Sequence, residues 1–209
     1  MRKLIVLPMA ALLALAVAVP VSAGPNVSNS SGSALTAQGS WYSEAAGVET
    51  FGGLYAWQDS GASSAFVEYF EQVGAYVDCT PADQTDESFG FQGEVRSGYG
   101  EGTLTLGRGY ADAQASGTLT TVTTSVDDCT GDYVESPGGT VAVSLDLVAT
   151  GQKMMERGTS SFKIPGQFNS HSSYRTTSRI AAGTAGIGGS DIAVDGGIGN
   201  VTWRDHGNG

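Results

Sequence analysis

Histidine, cysteine and basic residues are all scarce in this chain, and each scarcity closes off some chemistry. There are two histidines, His171 and His206, and two cysteines, Cys79 and Cys129. Zinc sites are built from clusters of Cys, His and carboxylate, and two cysteines that pair with each other leave too few ligands. Serine is plentiful, but no G-x-S-x-G elbow surrounds any of it, so serine hydrolysis lacks its usual signature. His171 sits in the polar stretch Gln167 to His171 and reads as a solvated loop histidine. His206 lies close to the C-terminus, where chains fray. Lys and Arg number 10 against 21 Asp and Glu, a formal charge of −11. Nucleic acids and anionic lipid surfaces both select for basic faces, so neither is an expected partner. Helical periodicity is missing as well. Lys153 to Arg157 has room for one turn between Gly151 and Gly158, and no longer window qualifies.

What is present starts with the N-terminus. Arg2 and Lys3 precede a nearly unbroken apolar run from Leu4 to Val19. Val21-Ser22-Ala23 then supplies small residues where a signal peptidase reads. This pattern is a secretory signal peptide, residues 1–23, cleaved near Ala23. The mature chain is then 186 of the 209 residues, its charge moves from −11 to −13 with the loss of Arg2 and Lys3, and it is expected outside the cell. No later apolar run is long enough to cross a bilayer as a helix. Residues 24–39 are rich in Ser, Gly, Ala and Asn, which predicts a flexible leader before a single domain over 40–209.

In an oxidising compartment Cys79 and Cys129 read as a disulfide. Both sit where a strand-like run breaks into an acidic loop. Asp83 and Asp86 follow one cysteine, and Asp127, Asp128 and Asp132 surround the other. Calcium takes several carboxylate and carbonyl oxygens, so two such loops drawn together by the disulfide are a candidate calcium site, although neither carries the spaced D-x-D-x-D-G pattern. Calcium is the one cofactor these residues suggest. Charge is also uneven along the chain. From Gly24 to Thr150 there are seventeen acids and two bases, whereas Gly151 to Gly209 carries four acids and six bases. Arg175 and Arg179 share one strand face and suit either an anion or a pairing with the acidic part of the chain.

The dominant local signal is period-two alternation. Val141, Val143, Leu145, Leu147 and Ala149 share one face and Thr140, Ala142, Ser144 and Asp146 the other, after Pro137-Gly138-Gly139, which reads as a turn. Phe89, Phe91 and Val95 alternate with polar residues, as do Leu104 and Leu106, and Ala113, Ala115 and Leu119. The small side chains of that last set point to close backbone approach or to a large residue across the core. Gly188-Gly189-Ser190 reads as a turn between strands. The fold expected is all-β, an antiparallel β-sandwich of jelly-roll type with eight to twelve strands.

Candidate chemistry is sparse. Glu68 lies between Phe66 and Phe70 on one strand face. A carboxylate in apolar company suits a general acid, with Glu94 or Glu101 as the second carboxylate of a glycosidase. Trp41, Tyr42, Tyr55, Trp57, Tyr69, Tyr76, Tyr99 and Tyr110 pair an apolar face with a polar tip, the chemistry that stacks on sugar rings, with Trp41, Trp57, Tyr55 and Tyr69 the leading candidates and Trp41 and Trp57 also candidate core residues.

Several segments resemble a group of uncharacterised secreted β proteins from high-GC Gram-positive bacteria. They are Gly102 to Leu106, Ala113 to Val126, Val141 to Leu147, Thr150-Gly151 and Arg179 to Thr184, with Trp41 near the mature start. Ala149 departs from the pattern, which places Trp there. The resemblance implies secretion and an all-β fold. Three functional readings fit these residues. The first is a non-catalytic protein binding an extracellular glycan or protein. The second is a small glycoside hydrolase using Glu68, and the third a calcium-stabilised structural domain.

Overall fold

The structure, a computed structural model, describes residues 28–80, 88–164 and 168–208. The expected signal peptide, residues 1–23, lies outside these residues. Eight antiparallel strands follow one another: β1 (Ser28–Ala45), β2 (Val48–Asp59), β3 (Ala65–Asp78), β4 (Phe89–Leu106), β5 (Asp112–Asp127), β6 (Asp132–Ile164), β7 (Phe168–Ile187) and β8 (Ser190–Asn208). Each pairs with the next, and β1 pairs with β8, so one sheet closes into a barrel. The all-β expectation therefore stands, while two stacked sheets give way to a single ring. Alternation looks the same in both architectures, because either one buries every second residue. Closure depends on the pairing of Ala34 with Val201 and of Gly39 with Gly196, 167 and 157 positions apart in sequence, which no local pattern encodes.

The interior explains why so many inward positions are small. An eight-stranded barrel is just wide enough for side chains to fill it. The largest fully buried residues are Tyr69, Leu54, Leu119, Leu145, Leu147, Ile198 and Val67, and Ala37, Ala56, Ala65, Ala113, Ala115, Ala181 and Ala185 leave them room. Gly52 shows the fit most sharply: a Cβ there would run into the Trp41 ring.

Turns follow the chemistry of tight hairpins. Ala46 and Gly47 both have positive φ (52° and 80°), and so do Gly188 and Gly189 (59° and 90°). Two positive-φ residues match the right-handed twist of the strands they join. Pro137-Gly138-Gly139 is a bulge inside β6 rather than a turn. The register with β5 shifts at Thr121/Val122, and buried Thr121 donates its Oγ1 hydrogen to the Gly139 carbonyl at 3.2 Å. A second irregularity falls between Ala149 and Lys153, and Lys153 to Arg157 is strand, not helix.

Residues 28–39, expected as part of a flexible leader, belong to β1 and are paired with β8 on one side. Their low apolar content has a structural reason. Ser31 and Ser33 face an open, polar end of the barrel where no dry core is needed.

The two rims differ. At one, the Cys79–Cys129 disulfide joins the β3–β4 and β5–β6 connections, with the Cα atoms 5.2 Å apart and 50 positions between them. At the other, β6, β7, β8 and β1 run past the ends of β2 to β5. On the outer wall level with the core stand Gln38, Ser40, Thr103, Gln114, Ser116, Asp146, Thr184 and Asp195. Among the described residues no helix is long and apolar enough to cross a membrane.

Candidate functional site

Alternation sorts the aromatic residues into two groups. On β1 and β3 the inward positions include Trp41 and Tyr69, which are 7 % and 0 % exposed. Their rings stack at 6.4 Å and 19° inside the barrel. The Tyr69 hydroxyl donates to Glu71 Oε2 at 2.9 Å. Burial, reinforced by Glu71, holds this phenol well above its ordinary pKa. Trp41 Nε1 is buried without a partner among the described residues. These two sugar-stacking candidates are core residues.

Trp57 and Tyr55 lie on the opposite face of β2, outside the barrel. Register carries the arrangement across three strands: Trp57 faces Phe66 on β3, and Tyr55 faces Glu68, which in turn faces Tyr99 on β4. The Trp57 and Phe66 centroids are 4.2 Å apart, and Phe66 stacks on Tyr99 at 5.7 Å and 16°. Three rings thus form a continuous ladder, and Tyr99 at its end is 70 % exposed. Below them Phe51 meets Phe70 edge-on at 6.0 Å. The Tyr55 ring folds over Gly53, where a side chain would displace it. Desolvation and then Glu68 hold the Tyr55 phenol above its ordinary pKa, and like any phenol it is a hydrogen-bond donor at neutral pH. Phe66 joins the candidates Trp57 and Tyr99 into one ladder. The signal for Phe66 in the sequence is its parity within the strand, and it becomes readable only with the register of β3 and β4.

The carboxylates divide in the same way. Glu68 and Glu101 are exposed on the outer wall, with Glu101 opposite Phe66. Glu94 is on the inner face, opposite Val73 and Ser125 near the disulfide-bearing rim. Glu68 and Glu94 are therefore separated by the sheet. Glu68 and Glu101 are diagonal neighbours at a Cα spacing of about 7–8 Å. They stand on a convex, water-exposed wall, without the apolar enclosure that makes a carboxyl a general acid.

Asp83 and Asp86 lie outside the described residues. Asp127 Oδ1 accepts from the backbone N–H of Cys129 (3.0 Å) and Thr130 (3.2 Å), and Asp132 Oδ2 accepts from Thr130 Oγ1 at 2.9 Å. Asp128 accepts from the Tyr133 hydroxyl at 2.6 Å and the Phe91 N–H at 3.0 Å. The Gln92 side chain lowers the pKa of Asp127, and Tyr133 followed by the Phe91 N–H lowers that of Asp128. Their oxygens order the turn beside the disulfide. Among the described residues no three His, Cys, Asp or Glu side chains gather as a metal site would require.

The outer wall of β2, β3 and β4 thus offers flat ring faces, phenol donors and carboxylate acceptors on a rigid sheet. Ring faces of this kind can stack on C–H faces, and phenol and carboxylate tips can bond hydroxyls. No family model matches this chain, and no curated protein is significantly similar to it.

Proposed function

We propose that this chain is a secreted, non-catalytic binding protein that presents the outer wall of β2–β4 to an extracellular neutral glycan. The observation that carries this reading is the ladder of half-buried Trp57 and Phe66 ending at exposed Tyr99, flanked by Glu68, Glu101 and half-buried Tyr55. Rings aligned across three strands of a rigid sheet give an apolar strip for sugar C–H faces, and the carboxylates accept hydroxyl hydrogens. The acidity of the wall disfavours anionic polysaccharides and leaves neutral ones as the fitting class. Export is supported by the N-terminal segment Arg2 to Ala23 and by a disulfide of the kind that persists outside the cytosol. Gln38, Ser40, Thr103, Gln114, Ser116, Asp146, Thr184 and Asp195 interrupt the outer wall level with the core, which supports a barrel that stands in water, because a lipid-facing barrel carries an apolar band about 25 Å tall. The resemblance to secreted β proteins of high-GC Gram-positive bacteria belongs to the same reading.

The test is co-sedimentation of the mature protein with cell walls and insoluble neutral polysaccharides, with the supernatant assayed for released sugar. Depletion of the protein without sugar release is expected. No depletion by any of them would overturn the glycan reading, and release of sugar would replace it with a hydrolase.

A further inference from the structure

The charged residues after Gly151 are sorted by face. Its six bases, Lys153, Arg157, Lys163, Arg175, Arg179 and Arg204, all occupy inward register positions, the parity of buried Ala181 and Ile198. Its four acids, Glu156, Asp191, Asp195 and Asp205, all occupy outward ones. A solvated sheet has no need of such sorting. It concentrates positive charge on the inside of the end where β6, β7, β8 and β1 overhang the other strands.

A cavity of about 980 Å³ opens there. Arg157, Arg175 and Arg204 line it together with the hydroxyl residues Ser31, Ser33, Thr159, Ser173 and Thr202. Asp59 and Ser60 close the side nearest β2, and Asp59 is the carboxylate among the lining residues. Register stacks these side chains in two adjacent rows. Arg157 faces Arg175, which faces Thr202, which faces Ser33; one row outward, Thr159, Ser173, Arg204 and Ser31 face one another in turn. Ser173 and Thr202 donate to the strand carbonyls of Arg204 (3.5 Å) and Arg175 (3.3 Å), which fixes the wall. Arg157 donates to Met155 Sδ at 3.7 Å, and among the described residues no carboxylate is hydrogen-bonded to the three guanidinium groups. Like charges directly opposite on neighbouring strands repel each other, and an anion between them reverses that cost.

We propose that this cup is a binding site for a small organic polyanion carrying at least two phosphate or carboxylate groups. Guanidinium forks bind both groups in the same bidentate manner, and the surrounding hydroxyls suit a polar ligand backbone. The volume lies within the range of small-molecule sites. A long polyanion is disfavoured, because Glu156 and Asp205 stand on the outer face next to Arg157 and Arg204, where such a chain would run on beyond the cup. This site is separate from the aromatic wall, so either can fail without the other.

The experiment is calorimetric titration of the mature protein with pyrophosphate and, separately, citrate at low ionic strength. The variants are Arg175→Gln, Arg157→Gln, the control Arg108→Gln on the β4–β5 turn, and Trp57→Ala. Saturable binding of at least one anion is expected, weakened roughly tenfold or more in each cup variant and unchanged in Arg108→Gln and Trp57→Ala. Pyrophosphate binding alone assigns the phosphate class, citrate binding alone the carboxylate class, and binding of both the shared oxyanion chemistry. The proposal is overturned by no saturable binding of either anion at millimolar concentration, or by equal weakening in Arg108→Gln, which would mark diffuse attraction. Thermal melts of each variant confirm that the barrel is intact.

Discussion

Arg157 on β6 and Arg175 on β7 stand directly opposite one another, two like charges in a single cross-strand pair. Such a pair costs stability, on the order of 0.2–1 kcal/mol when the partners are adjacent. Arg175→Gln should therefore raise the melting temperature slightly at low ionic strength without added anion. The gain should vanish at high salt, where the repulsion is screened. Melts at two salt concentrations check this, and a lowered melting temperature at low salt would show that Arg175 contributes to the fold itself.

Gly52 supports the Trp41 ring inside the barrel, where a Cβ would collide with it. Gly52→Ala is expected to destabilise by about 1–3 kcal/mol through overpacking. Urea denaturation reads the change. Gly47, whose added Cβ would meet open space but whose φ is +80°, provides a contrast in which an alanine acts through backbone strain alone.

The disulfide spans 50 positions of chain. In the chain-entropy model, replacing Cys79 and Cys129 together by alanine costs about 4 kcal/mol. Chemical denaturation measures the loss. Hydrogen exchange should show it first near Ser88 and Cys129, whose connections the bond ties together.

Stability at the extremes of pH follows from two groups. The Tyr69 phenol is raised in the folded barrel by burial and then by Glu71. Its contribution is present below the ordinary value of 10.0 and is lost as pH rises through the folded pKa. Asp128 is lowered, chiefly by Tyr133, so its contribution is present above the ordinary 3.8 and is lost as pH falls through the folded pKa. Tyr69→Phe should flatten the alkaline limb and Asp128→Asn the acid limb. Denaturation midpoints across pH test both, and a mutant curve parallel to the wild type would contradict the assignment.

The sequence made single strands legible and their partners illegible. The face through Val143, Leu145 and Leu147 is the inward face of β6, as its alternation implies, and Ala113, Ala115 and Leu119 are its counterparts on β5. Whether those faces close a ring or line a sandwich depends on which strand lies beside which, and β1 meeting β8 is a contact between opposite ends of the chain. Serines 31 and 33 resemble a disordered leader because an open rim needs no apolar side chains. Trp41 and Trp57 illustrate the limit for the site. Both are tryptophans in strands, and one stacks inside on Tyr69 while the other lies outside on Phe66. Composition treats them alike, and only the register separates core from surface. The excess of bases after Gly151 was visible in the sequence, but their gathering on one face of one rim required the pairing of two hairpins, β6–β7 and β7–β8.

The most direct test of the central claim is the apparent affinity for the polysaccharide that depletes the wild-type protein, compared with that of Tyr99→Ala and Trp57→Ala. The ladder ending at exposed Tyr99 predicts a loss of roughly tenfold or more in each variant, with the melting temperature of Tyr99→Ala nearly unchanged. Wild-type affinity in both variants, with the fold intact, would contradict the assignment of the outer wall of β2–β4 as the binding surface.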